Sequence, residues 1–179
     1  MSSRSITAVA ASMIVAASLL TGCATASKSD AMVVDQVAVA HTSSSDVSVV
    51  VSGGQETSKM GASQISDDAF AQALRDSITK SGLFKSVAAS GGRYKLTAFI
   101  GKVDQPTFGL SMTVKMEVSY TLVDTKSGKT VWSKNIASEH TAKPSEAFAG
   151  VKRLRLANEG AAKDNIQQAL TEISNVQIS

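Results

Sequence analysis

Residues 110 to 122 alternate without a break. Leu110, Met112, Val114, Met116, Val118, Tyr120 and Leu122 are apolar, and Ser111, Thr113, Lys115, Glu117, Ser119 and Thr121 between them are polar. Successive side chains of a strand point to opposite faces, so this period predicts one strand with a core face and a wet face. At about 3.4 Å per residue the run would span roughly 44 Å, which predicts a bulge or an end projecting past its neighbours.

Such a strand needs partners and an apolar cover. Residues 124–129, Asp-Thr-Lys-Ser-Gly-Lys, read as a hairpin connection, and 130–141 return as a strand carrying Trp132 and Ile136. Upstream, Tyr94, Leu96, Ala98 and Ile100 alternate with Lys95, Thr97 and Phe99, and Pro106 and Gly109 bound the loop that follows. Residues 84–88 and 47–51 predict short strands, 32–40 are β-prone, the polar run 42–46 breaks them, and 53–61 form a loop. The cover comes from two helices. In the first, 67–81, Ser66 caps the start, Asp67 and Asp68 complement the dipole, and Ile65 staples onto Phe70. Phe70, Ala73, Leu74, Ser77 and Ile78 share its inner face, and Gly82 ends it with Leu83 folding back on Ile78. The second, 151–174, has Leu154, Ala161, Ala162, Ile166, Ala169, Leu170 and Ile173 on its apolar side, a Glu159–Lys163 pair, and a middle weakened by Asn158 and Gly160. Together these elements predict a single α+β domain with a mostly antiparallel sheet packed against two helices.

The chain's only cysteine explains its other end. Arg4 is followed by an apolar run over 5–20, too short and too interrupted by hydroxyls for a membrane span, and laid out like a secretory signal. Leu20-Thr21-Gly22-Cys23 then resembles the lipobox of bacterial lipoproteins. The resemblance implies cleavage between Gly22 and Cys23, with palmitate-type acyl chains on Cys23. One chain binds a membrane only marginally, whereas two or three make a firm anchor. Ala24, where an Asp would retain such a protein in the inner membrane, implies the outer membrane of a Gram-negative bacterium, with the domain facing the periplasm. The expected organisation is a signal peptide over 1–22, a flexible tether over 23–31 and the domain over 32–179. With Cys23 acylated no thiol remains for a disulfide, so stability falls to the hydrophobic core. Losing residues 1–22 removes Arg4 alone from 18 basic and 15 acidic residues, a near-balanced set that gives no reason to expect nucleic acid.

The domain resembles periplasmic accessory lipoproteins more loosely, through the helix ending Ser81-Gly82-Leu83-Phe84, through Leu122-Val123-Asp124, and through Gly128-Lys129-Thr130-Val131-Trp132-Ser133. That group includes penicillin-binding-protein activators, curli-secretion lipoproteins and auxiliary lipoproteins of ABC transporters. It implies an accessory or adaptor of an envelope protein machine, or a module that serves a transporter by binding lipid or another hydrophobic ligand. An exposed apolar groove along 110–122 would favour the second role, and a filled core the first.

Catalytic patterns are thin. Ser77-Ile78-Thr79-Lys80, Lys126-Ser127-Gly128 and Ser133-Lys134-Asn135 match short motifs of serine β-lactamases and penicillin-binding proteins, but in the wrong order and in a chain too short for that fold. The expectation is therefore not an enzyme. His41 and His140 each lack a ligand at metal-binding spacing, so neither a metal nor another cofactor is expected. Candidate partner-surface residues are Lys115 and Glu117 on the wet face, and the basic cluster Lys152, Arg153 and Arg155 at the second helix's start. Met112 and Met116 suit an adaptable greasy surface but read first as core. The partners expected are the membrane, through Cys23, and an envelope protein.

Overall fold

The computed structural model describes residues 24–58 and 61–178. Five strands, β1 (Ser43–Ser52), β2 (Phe84–Ala88), β3 (Tyr94–Asp104), β4 (Met112–Asp124) and β5 (Thr130–Ala142), form one sheet in the order β2-β1-β3-β4-β5. Three helices accompany them: α1 (Ser29–Met32), α2 (Asp67–Ser81) and α3 (Gly150–Ser174).

β3, β4 and β5 are an antiparallel meander, but β1 runs parallel to both β2 and β3. The α+β reading holds, but the parallel pairing of β1, which makes the sheet mixed, is not in the sequence expectation. The reason is physical: alternation fixes which face a side chain takes, not the direction of the neighbouring strand. Direction is set by α2, which carries the chain from the end of β1 back to the start of β2, as a parallel pair requires.

β2 pairs with β1 up to Ser48, and β3 takes up the other side of β1 from Val47 onward. The five-residue link 89–93 therefore crosses over β1. Gly92 makes the crossing possible, since a Cβ there would lie 2.7 Å from the Ser48 nitrogen and 2.9 Å from the Val47 carbonyl carbon. Ser48, pointing to the face away from the helices, is buried and donates to the Tyr94 carbonyl at 3.4 Å.

α2 and α3 cover the same face of the sheet, α2 over β1 and β2 and α3 over β4 and β5. Met112, Val114, Met116, Val118, Tyr120 and Leu122 all point into this layer and are buried. Leu110, expected with them, lies before the strand and is 82% exposed. The length of β4 is accommodated by irregularities in register, one at Gly101 of β3 and another between Leu122 and Val123 where β5 pairs.

The α2 boundaries match the sequence expectation. Ser66 Oγ accepts from the Ala69 amide at 3.3 Å, and Gly82 closes the helix at φ 64° with its N–H on the Thr79 carbonyl. α3 holds a buried polar seam. Tyr120 Oη donates to Asn165 Oδ1 at 2.9 Å, Asn165 Nδ2 donates to the Ile136 carbonyl and Ser138 Oγ, and Ser138 Oγ donates to the Ala161 carbonyl. Full burial pushes the Tyr120 phenol far up, so it remains a neutral donor.

The segment before β1 departs most from expectation. Residues 32–40 are not a strand: Met32 ends α1, and Met32, Val33 and Val34 enter the core. Residues 24–31, expected as a tether, lie along the domain. The Ser27 amide donates to the Gln64 carbonyl, and the Lys28 amide to Glu159 Oε1 at 3.0 Å. Polar residues 43–46 belong to β1 rather than breaking it, because the Ser43 amide bonds the Leu83 carbonyl and Asp46 accepts from the Arg93 amide.

Candidate functional site

Gly22 and Cys23 lie outside the described residues. The described chain begins at Ala24, and its first contacts are with α3: Thr25 Oγ1 accepts from Arg155 Nη1 at 3.0 Å. Next to that contact sits Glu159, buried and 3.4 Å from Arg155 Nε. Burial raises the Glu159 carboxyl above its usual range, against the lowering pull of the Lys28 amide and Arg155.

The basic cluster at the start of α3 is divided among three environments. Lys152 is exposed. Arg155 is half-buried between Glu159 and Thr25. Arg153, expected on the surface, is buried and holds two loops together. Its Nη1 donates to the carbonyls of Ala147 (2.8 Å) and Phe148 (2.5 Å), and its Nη2 reaches the Gly109 carbonyl at 3.4 Å. Those loops, 105–111 and 143–149, carry three large apolar side chains that sequence reasoning missed. Phe108 is 86% exposed and Phe148 fully exposed, alongside Leu110, and Val151 of α3 is half-exposed beside them. Phe108, Met112, Val151 and Leu154 help line an open cleft of about 560 Å³ at this end. The available signal was two phenylalanines in stretches marked as loops by Pro106, Gly109 and Pro144.

The second surface is the sheet face that the helices leave open. Val50 and Phe99, each about half exposed (49% and 50%), sit on it. Polar pairs extend outward across β4 and β5: Lys115 bridges Glu139 at 3.3 Å, Glu117 lies opposite Lys102, and Thr121 bonds Ser133. Both wet-face candidates, Lys115 and Glu117, are exposed here, three and five residues along β4 from Met112, where the 105–111 loop enters the strand.

The nucleophile-like motif does not assemble. Ser77 is fully buried, donates to the Ala73 carbonyl at 2.7 Å and accepts from the Val34 amide, while Lys80 pairs with Asp35 at 2.6 Å. Lys126-Ser127-Gly128 forms the β4–β5 turn. His140, read as solitary, has Asp164 Oδ2 3.1 Å from its Nδ1, and its ring lies flush against α3 at Gly160. His41 is exposed, with its amide on the Ser174 carbonyl. Among the described residues no helix is long and apolar enough to cross a membrane.

No family model matches the sequence, and no curated protein matches it. Solved structures do match the fold. A Xanthomonas campestris protein of the DUF330 family superposes with a TM-score of 0.53 at 14% identity, over 79% of this chain and 88% of that one. A Caulobacter crescentus protein assigned as a lipoprotein gives 0.51 at 15% identity, over 72% and 87%. The fold is the one these two proteins share. PelC of Paraburkholderia phytofirmans, crystallised as a dodecamer, gives 0.50 at 15% identity, over 78% and 92%. At these identities the likeness speaks for the fold alone.

Proposed function

We propose that this chain is an envelope lipoprotein, anchored through acylated Cys23 in the outer membrane, that serves as a non-catalytic accessory or adaptor of a periplasmic protein machine. The observation that carries the reading is Leu20-Thr21-Gly22-Cys23 after an apolar run, joined to a domain that shares its fold with the Caulobacter crescentus protein assigned as a lipoprotein. An adaptor needs a surface free of its own chain, and the open sheet face with Val50 and Phe99 among charged and hydroxyl side chains supplies one. The apolar face of β4 is filled by helices, which favours this role over ligand carriage.

Two measurements test it. Cells fed an alkynyl fatty acid should label the wild-type chain and not Cys23→Ala; equal labelling of both removes the anchor. A photo-crosslinking residue at Ser119, on the open face, should yield an adduct with another envelope protein, whereas one at Gln167, exposed on α3, should not. Failure at Ser119 removes the adaptor role.

A further inference from the structure

Single exposed apolar side chains are ordinary, but a cluster of them is not. Six large hydrophobic residues are conspicuously exposed among the described residues, and four of them, Phe108, Leu110, Phe148 and Val151, gather at one end of the molecule. Their placement is held by the fold. Arg153, itself buried, grips the Phe148 and Gly109 carbonyls at once, so the two loops are fixed to each other and to α3 while their side chains project outward. Ala147 is buried beneath them, giving the 143–149 loop a foothold in the domain.

The start of the described chain reaches the same end. Ala62 lines the cleft with Phe108 and Val151, Ser27 bonds Gln64 two residues further on, and Thr25 bonds Arg155 in the opening turns of α3. Cys23 lies two residues before Thr25, and two extended residues reach at most about 7 Å. Acyl chains on Cys23 would therefore enter the membrane beside this tip. Exposed Lys152 and Lys143 flank it, with Glu146 the acidic residue among them and its carboxylate accepting from the Lys143 amide. Apolar groups at the end of a domain, with cations behind them, suit the boundary between lipid headgroups and acyl chains.

We propose that this end is a membrane-seating tip. Phe108, Leu110 and Phe148 insert into the interfacial zone of the bilayer that holds the Cys23 acyl chains, with Lys143 and Lys152 at the level of its anionic headgroups. The domain then stands on the membrane in one orientation, its long axis set by the tip rather than swinging on a linker. This rests on the anchor reading for its position, but it predicts a contact that acylation alone does not produce.

The test uses the full-length chain with Trp132→Phe and one new tryptophan, Phe148→Trp at the tip or Phe99→Trp on the open sheet face. Each is reconstituted into vesicles of phosphatidylethanolamine with a minority of phosphatidylglycerol, plain or brominated near the top of the acyl chains. Tip emission should shift to the blue and fall by at least about twofold in brominated vesicles, while the sheet-face reporter stays unquenched. Equal, absent quenching at both sites overturns the proposal. So does a blue shift without bromine quenching, which would mean that protein, such as a second copy, covers the tip. The mass of the N-terminal peptide reads acylation separately. An acylated chain with an unquenched tip rejects the tip alone, and an unacylated chain with a quenched tip rejects the anchor alone.

Discussion

At the scale of single residues, Gly160 carries the sharpest expectation. A glycine inside a helix lowers stability by about 1 kcal/mol against alanine, so propensity alone favours Gly160→Ala. The structure reverses the sign. A Cβ at 160 would sit 2.2 Å from His140 Cδ2, so the ring pinned by Asp164 would have to leave. Gly160→Ala should destabilise the domain by about 1–3 kcal/mol in urea melts, and adding His140→Ala should recover part of the loss. Additive losses would show that the ring is not what the glycine accommodates. Asn158 has a similar explanation, because its buried amide donates to the Ser63 carbonyl and accepts from Gln105. In sequence both residues read as helix weakeners, since the partners that justify them lie 20 or 95 positions away. Local signals fared better. Ser66, Gly82 and the 110–122 alternation were legible because each acts on its own few neighbours.

At the scale of elements, β4 separates core from surface. Val114→Ala and Val118→Ala remove fully enclosed methyl groups under α3 and should lower stability by about 1–3 kcal/mol. Lys115→Ala and Glu117→Ala, on the open face, should change it by less than about 0.5 kcal/mol while weakening the Ser119 crosslink. Denaturant melts beside crosslinking check both, and equal destabilisation by the two sets would mean that the open face is covered. Strand identity was readable here, but strand order was not. Nothing in Val47 or Val49 announces parallel neighbours, and the crossing of β1 depends on Gly92 meeting a backbone more than forty residues earlier. The tip was hidden for a related reason. Periodicity describes the inside of an element, whereas Phe108 and Phe148 project from loops that Arg153, buried in the first turn of α3, brings together.

At the scale of the molecule, the first described segment closes the fold by docking on α3. Glu159 is central to that closure, accepting from Lys28 while buried beside Arg155. Its raised carboxyl value implies a definite pH dependence. Relative to Glu159→Gln, the wild type should be most stable below the unfolded carboxylate value, where Glu159 is protonated in both states. That advantage should be lost as pH rises through the higher folded value. Urea melts across the acidic range check the sign; a rising advantage would mean that Arg155 and the Lys28 amide outweigh burial. The crossing over β1 matters when the molecule is pulled. A force applied at residue 24 first peels the contacts at Ser27 and Lys28, then must draw Met32, Val33 and Val34 from the core and the His41 amide from Ser174 before it arrives at Ser43, the beginning of β1. There the strand is gripped on one flank by β2 and on the other by β3, both running in its own direction. Drawn along its axis, it must break hydrogen bonds on both flanks together in shear, rather than one at a time as an unzipping hairpin does. Pulled from residue 24, β1 gives way as a whole or not at all.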